Sequence, residues 1–155
     1  YGTGLKALGI MADGAFAEYV KVPKQFLFRT PNNVSLEDCT MIESFAVPIR
    51  ALKLSKIPLN QKIAIIGGGN IGLTTLNTLN AIKDPDYTLI IEPYEFLRNK
   101  AIEMGATHAV KPSKAKIRKF SKKHGEPDFI FECAGNESAF NMAIDLIRHG
   151  RMIVI

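Results

Sequence analysis

The residues of this 155-residue chain best suited to chemistry are Gly67-Gly68-Gly69-Asn70-Ile71-Gly72. Read as GxGxxG, the run puts Gly67 at a tight turn and Gly69 where a pyrophosphate must approach the backbone. Gly72 then falls where a helix packs on a strand. Asn70 and Ile71 open that helix, and its unpaired first amides and partial positive charge would face the same phosphates. Twenty residues after Gly72 stands Glu92, at the end of a second apolar run. A carboxylate there can accept both hydroxyls of an adenosine ribose and repels a 2′-phosphate, so the pattern points to NAD rather than NADP. The bland alternatives are an ordinary glycine turn and a surface glutamate ahead of Pro93. Strand, loop, helix and acid in this order favour the cofactor reading.

The elements that must hold these residues follow from periodicity. Ile63–Ile66 is continuously apolar, as a parallel strand buried on both faces should be. A helix is predicted over Asn70–Ile82, a strand over Tyr87–Ile91, and a helix over Tyr94–Met104 stopped by Gly105. Strand His108–Val110, a basic helix, strand Phe129–Glu132, helix Ser138–Arg148 and strand Met152–Ile155 complete a doubly wound α/β sheet. The first third reads differently. Ala15–Pro23 alternates like a half-exposed strand, and Leu27-Phe28 suggests another. Ser35 and Asp38 form an acidic variant of a capping box, and Pro48 is expected to bend or interrupt the helix that follows. These readings divide the chain into residues 1–55 and 56–155.

Composition excludes several classes. Hydrophobic residues are 46% and charged residues 23%, which suits a globular domain rather than a disordered one. No apolar stretch approaches the roughly 18 residues that span a bilayer, so no membrane role is expected. The net charge of +5 is concentrated in residues 111–124, which hold seven Lys and Arg and no acid. Such a run reads as a solvated helix face, and nucleic acid is not an expected partner. Cys39 and Cys133 form neither a disulfide framework nor a CxxC zinc pair, which suits a reducing, cytoplasmic setting. The chain starts without Met and stops inside an apolar run, so it is expected to be a segment of a longer protein. The three histidines, His108, His124 and His149, have no ligand-spaced partner and are assigned no catalysis.

Several motifs in order carry a family resemblance. Asp13-Gly14-Ala15-Phe16-Ala17-Glu18-Tyr19-Val20 resembles the DGGFAEYV strand of the zinc-dependent medium-chain alcohol and polyol dehydrogenases. Leu36-Glu37-Asp38 through Ile42-Glu43 and Ala46-Val47 resembles their LEDAALIEPLAV helix. Gly105-Ala106-Thr107-His108 and Phe131-Glu132-Cys133-Ala134-Gly135 match the approaches to the third strand and the end of the fourth. The resemblance implies a partial β-rich, GroES-like catalytic segment followed by five of the six strands of a Rossmann domain. It also implies a homo-oligomer acting on a small alcohol or polyol by hydride transfer to NAD, with zinc polarising the alcohol oxygen.

On the same resemblance, Glu43 is the remaining acid of the zinc site, Val47 lies near the nicotinamide, and Cys133 and Ala134 wall the adenine side. Plain readings stand beside these: a solvated glutamate at Glu43 and core packing for the other three. The remaining zinc ligands of the family fall outside the chain, so no catalytic residue is assigned within it and the segment alone is expected to be inactive. The family often has a basic residue five positions after the ribose acid. Here that position is Leu97, so either Arg98 takes the role or the ribose loses a contact. Ser44-Phe45 replaces the usual Pro-Leu. Alternatives left open are a zinc-free quinone or enoyl reductase of the same superfamily, an NAD-binding protein without turnover and, more distantly, a methyltransferase.

Overall fold

A computed structural model of the chain describes residues 7–155. Packing separates the residues up to Cys39 from a larger unit, Thr40–Ile155. The described part of the first unit holds an isolated bridge between Leu8 and Ala12, a 3-10 turn at Lys24–Phe26, and a short helix α1, Leu36–Cys39. The Ser35 hydroxyl donates to Asp38 Oδ2 at 2.7 Å and accepts from the Asp38 amide at 3.0 Å, forming the expected acidic capping box. The strands expected at Ala15–Pro23 and Leu27-Phe28 are not formed. No neighbouring strand among the described residues supplies a ladder for them, and Phe16, Tyr19 and Phe28 stand almost wholly exposed. Alternation alone does not make a strand without a partner for its backbone groups.

The larger unit opens with α2, Ile42–Ser55. The break in this helical region falls at Thr40-Met41, and α2 runs unbroken through Pro48. Proline removes one rung of the helix ladder, that to the Ser44 carbonyl, at a cost of about 3 kcal/mol. Against this, Pro48 and Leu52 are buried on the face of α2 that packs beside the next helix.

The elements then alternate: β1 Lys62–Ile66, α3 Asn70–Ile82, β2 Tyr87–Ile91, α4 Glu95–Glu103, β3 His108–Val110, α5 Lys114–His124, β4 Phe129–Glu132, α6 Glu137–Leu146 and β5 Met152–Val154. All strand pairs are parallel, in the order β3-β2-β1-β4-β5. The order reverses at β1, which pairs with both β2 and β4. Ligands of such sheets bind in the crevice beyond the carboxyl ends of the strands at this point.

Side chains on the two faces of the sheet build separate cores. Ile63, Ile65, Ile90 and Phe131 pack with α2, α3 and α4, whereas Ala64, Ile66, Leu89 and Ile130 pack with α5 and α6. Helix α4 ends at Gly105, whose φ of +91° lets Ala106 donate back to the Ala101 carbonyl. The basic helix α5 buries Ile117 and Phe120 and leaves its lysines outward, as a solvated face should. At the amino ends of the strands, buried Asp128 pairs with Arg148 and Arg151 at 3.1 and 3.2 Å and accepts from the Lys62 amide. Among the described residues no helix is long and apolar enough to cross a membrane.

Candidate cofactor site

The glycine run forms the turn from β1 into α3. Gly67 has a φ of +102°, and a Cβ on it would lie 2.9 Å from the Cys133 carbonyl carbon and 3.0 Å from the Ala134 nitrogen. A Cβ on Gly72 would sit 2.0 Å from the Gly67 oxygen and 3.5 Å from the Ile65 side chain, so the helix meets strand and turn with no room for a methyl group. Gly69 is different: nothing lies within 4 Å of its would-be Cβ. Gly69 is the N-cap of α3 and supplies no side-chain acceptor, so the amides of Asn70, Ile71 and Gly72 have no intrahelical carbonyl. An open face, small backbone and outward amides together make a cradle for an anion.

Glu92 follows β2 and is buried, 5% exposed. Its Oε2 accepts from the Gly68 amide at 2.7 Å and its Oε1 from the Tyr94 amide at 2.9 Å. The acid and the glycine loop are therefore brought together as the spacing predicts. Each carboxylate oxygen retains a lone pair after accepting one amide, so hydroxyl donors can be added without breaking these bonds. Glu132 plays a matching part at the end of β4, where it accepts from the Ala134 and Gly135 amides at 2.7 and 3.1 Å. Its role was not singled out from the sequence. The signal available was its register, since a carboxylate at a strand end can hold the loop that follows.

A cavity of about 390 Å³ opens between these loops. Of the expected site residues, Gly67, Gly69, Glu92, Cys133 and Ala134 line it. Leu97, at the position of the family's basic residue, lines it too, as do residues missed by the sequence, among them Tyr94, Pro112, Asn136 and Met142. They are found only once β2, β3 and β4 are known to end side by side. The Cys133 thiol is pushed up to about 11, chiefly by burial, with a Thr75 hydrogen bond opposing the rise and the charge of Glu132 adding to it. It stays protonated at neutral pH and acts as part of the wall.

Other expected residues lie elsewhere. Asn70 Nδ2 donates to Ser44 Oγ at 2.9 Å, tying the start of α3 to α2. Arg98 Nη1 donates to the carbonyls of Glu92 and Pro93. Glu43 and Val47 are exposed residues of α2 and do not line the cavity. Among the described residues no group of three or more His, Cys, Asp or Glu could hold a metal ion, so Glu43 offers one carboxylate at most and the residues present do not compose a zinc site. His108 and His124, distant in sequence, come together with tilted rings whose centroids are 4.6 Å apart, in an aromatic cluster with Phe120 and Tyr87 at the opposite end of the strands. Desolvation, and then the charges of His124 and Lys123, lower the pKa of His108.

No protein-family model matches the chain. A sorbitol dehydrogenase of Bacillus subtilis is 33% identical over 148 residues, covering 92% of this chain and 41% of that protein. The structure of an alcohol dehydrogenase (RspB) from Escherichia coli CFT073 in complex with NADH superposes with a TM-score of 0.90 at 28% identity, over 97% of this chain and 45% of that one. A protein of Sinorhizobium meliloti 1021 described as a zinc-binding dehydrogenase, bound to NADP, superposes with a TM-score of 0.88 at 29% identity, over the same shares. The chain spans less than half the length of the curated relatives it matches. With its parallel sheet and glycine turn, the chain is a relative of the zinc-type alcohol and polyol dehydrogenases, matched over nearly all of its own length.

Proposed function

We propose that the chain is the cofactor-binding portion of an NAD-dependent dehydrogenase that takes hydride from a small alcohol or polyol. The observation that carries this reading is the buried Glu92 carboxylate fixed 2.7 Å from the Gly68 amide, at the mouth of a cradle whose Gly69 is open. The relatives support the reaction class, and those solved with nucleotide hold NADH in one case and NADP in the other. Glu92 decides our choice between these: a 2′-phosphate brought beside a buried carboxylate meets like charge in a poorly screened place.

The chain's own residues would divide the work. The first amides of α3 take the negative charge of the pyrophosphate, and Glu92 accepts the ribose hydroxyls. Leu97, Ala134 and Met142 exclude water from the base. When bound, NAD supplies the hydride acceptor. Zinc chemistry needs donors that the described residues do not provide, so no step here runs through a metal; Glu43 would contribute a single carboxylate to such a site.

The test is titration of the chain with NAD and NADP, before and after Glu92→Ser. NAD should bind more tightly than NADP. The substitution should weaken NAD by roughly 10- to 150-fold, the equivalent of about 1.5–3 kcal/mol for one charge-assisted hydrogen bond, and narrow the preference. Unchanged affinities for both nucleotides would remove Glu92 from the site.

A further inference from the structure

We propose that Arg98 is a positioning residue, acting on the cofactor only through Glu92 and not as a ligand of the ribose; this rests on the cofactor reading above. The reason begins in the sheet. Ile91 pairs with Val110, and the Glu92 amide donates to the Val110 carbonyl. Continued by one more rung, a parallel ladder would have residue 112 donate to the Glu92 carbonyl. That residue is Pro112, which has no N–H to give.

Arg98 supplies the missing donor. From α4 its Nη1 reaches the Glu92 carbonyl at 2.8 Å and the Pro93 carbonyl at 2.6 Å. One guanidinium nitrogen thus gathers two of the three carbonyls of the turn between β2 and α4. The turn is further closed by the Arg98 amide donating to the Tyr94 carbonyl at 3.1 Å. With the turn so held, the Tyr94 amide points at Glu92 Oε1 and leaves Oε2 on Gly68. The brace therefore fixes the carboxylate through its own backbone. A lysine at this position keeps the positive charge, but its ammonium is more strongly hydrated and sits on a more flexible stem, so it holds the same carbonyls less firmly.

The experiment is a double-mutant cycle on the full chain with NAD as the probe. Affinities are measured for the unmodified chain, Arg98→Met, Glu92→Gln and the double variant, with Arg98→Lys as a conservative rescue. If Arg98 acts through Glu92, Arg98→Met weakens NAD about tenfold when Glu92 is present and by less than about twofold when it is Gln. Arg98→Lys should recover part of the loss. An equal loss in both backgrounds would mean that Arg98 touches the nucleotide, and no loss in either would mean that the brace is idle; both results overturn the proposal.

A second arm needs no nucleotide. Amide hydrogen exchange at Tyr94 and Gly68 should quicken in Arg98→Lys, which keeps the charge and the fold, and unchanged protection there also overturns the proposal. Failure of the unmodified chain to bind NAD would sink the cofactor reading while leaving this arm to decide the brace.

Discussion

Alanine at Gly69 and alanine at Gly72 should have opposite effects, although the two glycines share one turn. At Gly72 the added methyl would lie 2.0 Å from the Gly67 oxygen. Gly67 has little room to retreat: its amide is bonded to the Ile91 carbonyl, and the Cys133–Ala134 backbone flanks it. Relieving the overlap requires a movement of roughly 1 Å in buried backbone, at a cost of about 3 kcal/mol or more, the upper end for overpacking. In a chain of this size that lowers the melting temperature by about 10 °C. At Gly69 the backbone has φ −75° and ψ −165°, which alanine adopts freely, and nothing lies within 4 Å. The poorer N-cap and the gain in chain stiffness each amount to less than about 1 kcal/mol and oppose one another. Stability should therefore be nearly unchanged, while the methyl occupies the approach of the pyrophosphate and weakens NAD by roughly 10- to 150-fold. Calorimetric melting and isothermal titration of both variants check this. A Gly69→Ala chain that binds NAD normally, or a Gly72→Ala chain that melts normally, would refute the assignment of roles within the turn.

Cys133 should alkylate slowly with iodoacetamide at pH 8, its rate rising with a midpoint near pH 11 rather than the ordinary 9.0. Because the folded state holds this proton to higher pH than the unfolded chain, stability should fall as pH climbs from about 9 to about 11, and Cys133→Ser should flatten that fall. A midpoint near 9 would show the thiol to be better solvated than its place in the wall implies. Asp128→Ala leaves Arg148 and Arg151 without their shared acid, and both arginines have solvent to turn to. The expected cost is about 2–3 kcal/mol, with NAD affinity unchanged because Asp128 lies at the far end of β4; denaturant melts and the same titration test both halves.

The Rossmann half was readable because its strands announce themselves. Ile63–Ile66 and Tyr87–Ile91 are buried on both faces, so an unbroken apolar run was enough to locate them, and Gly105 and the glycine turn marked where helices stop and start. The alternating residues from Ala15 to Pro23 carried a weaker message, since a period of two describes a surface but not a partner to pair with. Pro48 misled for the opposite reason: the proline rule is local, and the burial that keeps α2 whole is not. Glu92 could be placed by its distance from the glycines. Glu132 could not, because its role depends on where a neighbouring loop lies; Arg98 was named through the resemblance as a ribose contact, but its bonds to the Glu92 and Pro93 carbonyls, beside a rung that Pro112 cannot supply, show only in the structure.

The strand order also sets how the sheet assembles. Helix α3 alone connects β1 to β2, and α6 alone connects β4 to β5, so each pair closes a short loop. Joining β1 to β4 spans 66 residues from Lys62 to Asp128 and carries about 1 kcal/mol more closure entropy than either short crossover. The sheet is thus a βαβαβ part, β1 to β3, and a βαβ part, β4 to β5, meeting along the β1–β4 seam, and the cavity straddles that seam. Gly67, Gly69 and Glu92 come from one part, Cys133, Ala134 and Met142 from the other. A molecule seated there touches residues of both parts, so its binding energy opposes their separation along that seam.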